Sequence, residues 1–113
     1  MSRHIVKFVS PLETQQVFDS FLQYWRNEGF EACVQDGEEC MKKGVGLATA
    51  PQFVKINSIN GVYVLQAWIK FPILPGIFLG EMDLDGFFGS IPKGMLKSRV
   101  NYFLTLVQAQ QTM

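Results

Sequence analysis

Histidine is nearly absent from this chain of 113 residues, with His4 the single one. Neither a second histidine nor a nucleophile at a recognisable spacing accompanies it. No Ser-His-Asp or Cys-His arrangement can therefore be argued, and His4 reads as an ordinary, half-exposed residue near the start of a strand. Cysteine is almost as scarce. Cys33 and Cys40 have no CxxC spacing and no histidine companions, which argues against a zinc site within one chain and against a disulfide scaffold of the secreted kind. A charge excess is missing too: ten basic residues balance ten acidic ones, so no overall field draws the protein to nucleic acid or to an anionic membrane. The longest apolar run, Ile73 to Leu79, is interrupted by Pro75 and Gly76 and is too short to span a bilayer. The opening MSRHIVKFVS has no apolar stretch of signal-peptide length. The expected protein is soluble and cytoplasmic, with no membrane span, no nucleic-acid partner and no cofactor.

What is present is the material of a folded domain. With 48% hydrophobic and 18% charged residues, the chain reads as a single globular domain over residues 1–113, long enough for one core and too short for two. Alternation over Arg3–Val9 predicts a first strand. Ser10, Pro11 and Glu13 then form an S-x-x-E capping box, with Pro11 at the first helical position. Thr14, Val17, Phe18, Phe21, Leu22 and Trp25 continue as one helical stripe to about Glu28, and Gly29 is placed to end the helix.

Phe30–Lys43 predicts a hairpin around Asp36-Gly37, the favoured pair for a type I′ turn. Its register sets Cys33 against Cys40 on the polar face, while Phe30, Ala32, Val34 and Met41 share the other face. A second hairpin turns at Asn60-Gly61 and pairs Ser58 with Tyr63, Ile56 with Leu65, Val54 with Ala67 and Gln52 with Ile69 as core. The opposite face sets Phe53 across from Trp68. A last helix from Pro92 to about Gln110 carries Leu96, Val100, Phe103, Leu104 and Val107 on one stripe.

The segment Phe71 to Gly94 stands apart. Eight of its 24 residues are Gly or Pro and eleven are large and apolar, a combination that predicts an irregular segment whose side chains are shielded from water. They fill extra core between sheet and last helix, form a self-association surface, or wall a small apolar cup with Phe78, Phe87 and Phe88 as its lid.

The fold class expected from this order is α+β: two layers, with a mostly antiparallel five-stranded sheet packed on two helices in the order β-α-β-β-β-β-α. That order resembles the TBP-like and helix-grip folds, in which a curved sheet wraps a long closing helix. The closing stretch GFFGSIPKGMLKSRV is also similar in flavour to uncharacterised bacterial domains of this size, a resemblance that implies no activity.

Motif searches return little chemistry. Gly89 to Gly94 has phosphate-loop spacing, but Met95 and Leu96 stand where Lys and Ser/Thr are required, and Gly44-Val-Gly46 lacks its third glycine. Glu81, Asp83 and Asp85 lack the remaining ligands of a calcium loop. They read instead as neutralising Lys93, Lys97 and Arg99 at the start of the last helix, with an anion held by Ser90, Lys93 and Lys97 as the sharper alternative. Cys33 and Cys40 face one another within disulfide reach, so a reversible redox link is weighed against two small side chains on an outer strand face. The function expected is that of a non-enzymatic interaction module. It would self-associate or dock a protein partner through the apolar surface around residues 71–94 or through Phe53 and Trp68. A cup for a small apolar or anionic ligand, closed by the last helix, is the alternative.

Overall fold

A strand, a helix and two hairpins make up the first two thirds of the chain: β1 (His4–Val9), α1 (Thr14–Asn27), β2 (Glu31–Gln35), β3 (Glu38–Lys43), β4 (Gln52–Ile59) and β5 (Val62–Leu74). Then follow β6 (Ile77–Met82), α2 (Ser90–Leu106) and the two-residue β7 (Gln110–Gln111). The structure, a computed structural model, describes residues 3–44, 51–74, 77–82 and 90–111, and describes no side chains within 71–95. All pairings are antiparallel, and the strand order is β2-β3-β4-β5-β1-β7, with β6 paired to the far half of β5. The protein is thus α+β, with the five predicted strands and both helices in their predicted order and with β6 and β7 added to the sheet.

Both hairpins take the predicted register, Cys33 opposite Cys40 and Phe53 opposite Trp68 included. The turn residues explain it: φ is 53° and 78° at Asp36 and Gly37, and 51° and 80° at Asn60 and Gly61. Positive φ at both central positions is the type I′ geometry, whose twist matches that of the strands it joins.

Three local expectations are corrected. Helix α1 begins one turn later than Ser10: Glu13 is the N-cap, and its backbone N–H donates to Gln16 Oε1 at 3.1 Å. The Ser10 hydroxyl is engaged elsewhere, accepting the Leu12 N–H and donating to the carbonyl of Val107 beyond α2. Helix α2 stops short of Gln110. Gln108 adopts φ 53°, and the Ala109 and Gln108 N–H groups reach back to the carbonyls of Leu104 and Thr105. This is a Schellman close made without glycine, and it turns Gln110–Gln111 alongside Phe8 and Val9. The third correction concerns the Gly- and Pro-rich segment, whose first half is regular. Strand β5 runs on to Leu74, and β6 pairs with it in a register that shifts on either side of Pro72. A proline has no N–H for a ladder, and irregularities of this kind are where a strand accommodates one. Residues 83–89 lie outside the described residues.

The core sits between the helices and one sheet face. Val17, Phe21 and Trp25 of α1 and Leu96, Val100 and Phe103 of α2 pack on Phe8, Tyr63, Leu65, Ala67 and Ile69, all buried. The helices are clasped to one another and to the start of β4 by polar contacts. Tyr24 donates its hydroxyl to the Arg99 carbonyl, and burial pushes that hydroxyl up to about 12, so it remains a donor. Arg99 in turn holds Glu28 Oε1 and Gln52 Oε1, each at 3.0 Å.

Helix α1 closes on Gly29, as its position predicted: φ is 92°, and the Phe30 N–H reaches the Trp25 carbonyl while the Phe30 and Trp25 rings meet at 4.9 Å. An added Cβ at Gly29 would lie 3.2 Å from Lys43 Nζ, the flexible end of a side chain. The left-handed backbone, more than this contact, sets the penalty. Gly29→Ala is expected to lower stability by about 1–2 kcal/mol, measured by urea denaturation, while circular dichroism stays unchanged.

Candidate functional site

The sheet face turned away from the helices carries a second, smaller core. Phe53 and Trp68 stack there at 5.4 Å with ring planes 8° apart, and each is only 1% exposed. Cys40 packs against them and Cys33 lies beside it. Sequence patterning marked this face as a mixed surface with one aromatic pair. The structure instead seals the pair, and among the described residues the covering groups are cations.

The Arg3 guanidinium lies over Trp68, 3.7 Å from the ring centre, and the Lys42 and Lys70 ammoniums stand 5.8 and 5.7 Å from the Phe53 ring. Cations favour the electron-rich face of an aromatic ring, and their aliphatic stems cover apolar area. Glu38 holds this roof in place: its two oxygens accept both Arg3 nitrogens at 2.7 and 2.8 Å, and Lys55 binds it at 2.7 Å. The Arg3 hydrogen bonds, with Lys55 adding to them, hold the Glu38 carboxyl down at about 2. Lys70 reaches across to Asp36 at the tip of the β2–β3 hairpin, at 2.8 Å.

On the helical side, the cover ends before the sheet does. A groove of about 1020 Å³ runs between α1, at Phe18, Phe21 and Leu22, and the strands at Ala32, Val34, Met41 and Ile56. Val34 is 67% exposed and Leu22 38%. The groove is flanked by β2, which stands at one end of the strand order. A two-residue turn makes Gln35 and Glu38 a hydrogen-bonded pair, and alternation then points the backbone groups of Glu31, Cys33 and Gln35 toward β3. The N–H and C=O groups of Ala32 and Val34 point outward, and among the described residues no strand meets them. Edge protection is light: β2 is short and carries the charge of Glu31, but it holds no proline, no lysine and no register shift. A second depression of about 810 Å³, between β1 and the end of α2, is lined by no titratable group.

The predicted site residues are distributed as follows. Phe53 and Trp68 come together with Cys33 and Cys40 in one cluster. Phe78 lies in β6 opposite Pro72, with its side chain outside what is described, and Phe87 and Phe88 fall outside the described residues altogether. Ser90 and Lys93 lie in the first turn of α2, and Lys97 is half-buried one turn on. Among the described residues no group of three His, Cys, Asp or Glu side chains could hold a metal ion. Among the described residues no helix is long and apolar enough to cross a membrane. The open β2 edge is not legible in the sequence, because which strand ends a sheet depends on pairings between distant segments. The signal available was local: Ala32 and Val34 alternate with polar residues on a strand with no gatekeeper.

Phe53→Ala is expected to lower stability by about 3–5 kcal/mol, as removal of an internal aromatic does. A loss under about 1 kcal/mol would place Phe53 at the surface instead. Glu38 carries a pH signature. Its carboxyl is more acidic folded than unfolded, so its stabilisation is complete above about 4.5 and is lost as pH falls toward about 2. After allowance for screening by solvent, Glu38→Gln should lower stability at pH 7 by about 1–2 kcal/mol. The gap from wild type should narrow as urea denaturation is repeated from pH 5 down to pH 2.5. Comparison with protein-family models, curated proteins and solved structures found no match, so this geometry alone carries the functional reading.

Proposed function

We propose that the protein is a non-enzymatic interaction module that self-associates by pairing the β2 edges of two copies. The observation that supports this reading is a lightly protected edge flanked by an exposed apolar strip. Unpaired edges invite another strand, and proteins that stay monomeric normally blunt them. Antiparallel pairing about a two-fold axis at Cys33 sets Ala32 opposite Val34 of the second copy and Glu31 opposite Gln35. No like charges meet in that register, and the outward N–H and C=O groups of Ala32 and Val34 are those that a hydrogen-bonded pair exchanges. The two apolar grooves then adjoin.

The surfaces expected from sequence rank lower. Phe53 and Trp68 are enclosed by their own chain, and the side chains of 71–95 are outside what is described. A cup between sheet and α2 has no support among the described residues, because Leu96, Val100, Phe103, Leu65 and Ala67 fill that space with none exposed.

Two five-residue strands bury little area, which places the dimer among weak, concentration-dependent associations. Light scattering should therefore give a mass rising from one chain toward two with concentration. Val34→Lys puts the usual edge-blocking residue at an exposed site and should weaken association tenfold or more, with stability unchanged within about 0.5 kcal/mol. Val34→Pro, which deletes an outward N–H, should do the same. A wild-type protein that stays one chain at every concentration would contradict the proposal.

A further inference from the structure

The Sγ atoms of Cys33 and Cys40 lie 3.4 Å apart across β2 and β3, and both thiols are free. Opposed residues of a hydrogen-bonded antiparallel pair have α-carbons about 5.5 Å apart, inside the span of a disulfide. Bonding the two sulfurs means drawing them together by roughly 1.4 Å, without a change of register. The thiols differ in access. Cys33 is half-buried on the outermost strand, whereas Cys40 is 7% exposed and packed with Phe53 and Trp68. Burial, followed by the hydrogen bond with Cys33, pushes the Cys40 thiol up to about 12. At neutral pH it is a poor nucleophile toward a dissolved oxidant, yet it is in contact with the sulfur of Cys33.

We propose that Cys33 and Cys40 form a modification site, a peroxide-sensitive thiol pair in which Cys33 is oxidised first and Cys40 resolves it into an intrachain disulfide. In the first step the Cys33 sulfur, as thiolate, attacks one oxygen of hydrogen peroxide. The O–O bond breaks, Cys33 becomes a sulfenic acid, and the departing hydroxide takes a proton and leaves as water. In the second, the Cys40 sulfur attacks the Cys33 sulfur and the S–O bond breaks. The Cys40 proton goes with the leaving hydroxide as a second water. Two thiols are oxidised by two electrons and one peroxide is reduced to two waters. The chemistry belongs to one chain and does not rest on edge pairing. In an edge-paired dimer Cys33 would face Cys33 of the second copy, so a Cys33–Cys33 bond between chains is the competing product.

Treatment of the purified full chain with a small molar excess of hydrogen peroxide separates these outcomes. The titratable thiols should fall from two to none. The intact mass should drop by about 2 Da, the chain should run as a monomer on a non-reducing gel, and dithiothreitol should restore both thiols. In Cys40→Ser the reaction should stop at a Cys33 sulfenic acid that dimedone captures, and in Cys33→Ser the remaining thiol should persist. Two thiols surviving in the wild type would overturn the proposal. So would a product of twice the chain mass, or a Cys33 sulfinic acid formed beside an unreacted Cys40.

Discussion

Backbone hydrogen bonding is the demand around which this structure is organised, and at β2, one end of the strand order, a whole strand face has no strand partner among the described residues. Strand β5, thirteen residues long, serves β4, β1 and β6 at once, whereas β3 meets β4 only over Met41–Lys43 and β1 meets β7 only at Phe8 and Val9. At β2 the exchange stops on one side. Ala32 and Val34 present polar backbone to water beside apolar side chains, a combination that a strand from outside can satisfy in both respects. The functional reading depends on this feature, because among the described residues β2 joins an edge without a strand partner to exposed apolar side chains at Ala32 and Val34 and to the groove beside α1.

The charged roof on the other face bears on how firmly that edge is presented. Arg3, Lys55 and Lys70 come from the segment before β1, from β4 and from β5, and their acidic partners Glu38 and Asp36 both belong to the β2–β3 hairpin. The hairpin is thus anchored to the rest of the sheet by ion pairs close to its tip. Surface pairs of this type contribute little singly. Here the Arg3 pair is bidentate and its guanidinium also covers Trp68, so the pairing and the burial of the Phe53–Trp68 stack reinforce one another. A hairpin fixed in this manner holds its outer strand extended, as edge pairing requires, and keeps Cys33 against Cys40.

Much of the fold was legible in the sequence because its determinants are local. Asp36-Gly37 and Asn60-Gly61 specify turn type, turn type specifies register, and register places Cys33 against Cys40 and Phe53 against Trp68. The Gly29 stop and the buried stripe of α2 follow from the same kind of local rule. Features that depend on distant residues were not legible. Ser10 resembles a helix cap, but its hydroxyl bonds to Val107, at the opposite end of the chain. Pro72 read as a strand breaker, yet the shifts in the β5–β6 register accommodate it. Phe53 and Trp68 fall on the outer sheet face by register, and that Arg3, Lys42 and Lys70 lie over their rings depends on contacts between distant segments. Of the candidate site, the thiol pair was visible from register, and the open edge was hidden in the strand order.

The central claim is that the outward backbone groups of β2 are satisfied by a second copy, and amide hydrogen exchange resolved to single residues tests it most directly. The account predicts that the Ala32 and Val34 amides are protected at concentrations where two chains associate, and that they exchange freely on dilution or in Val34→Lys at position 32. Rapid exchange at both positions at every concentration, with β3 and β4 still protected, would contradict it.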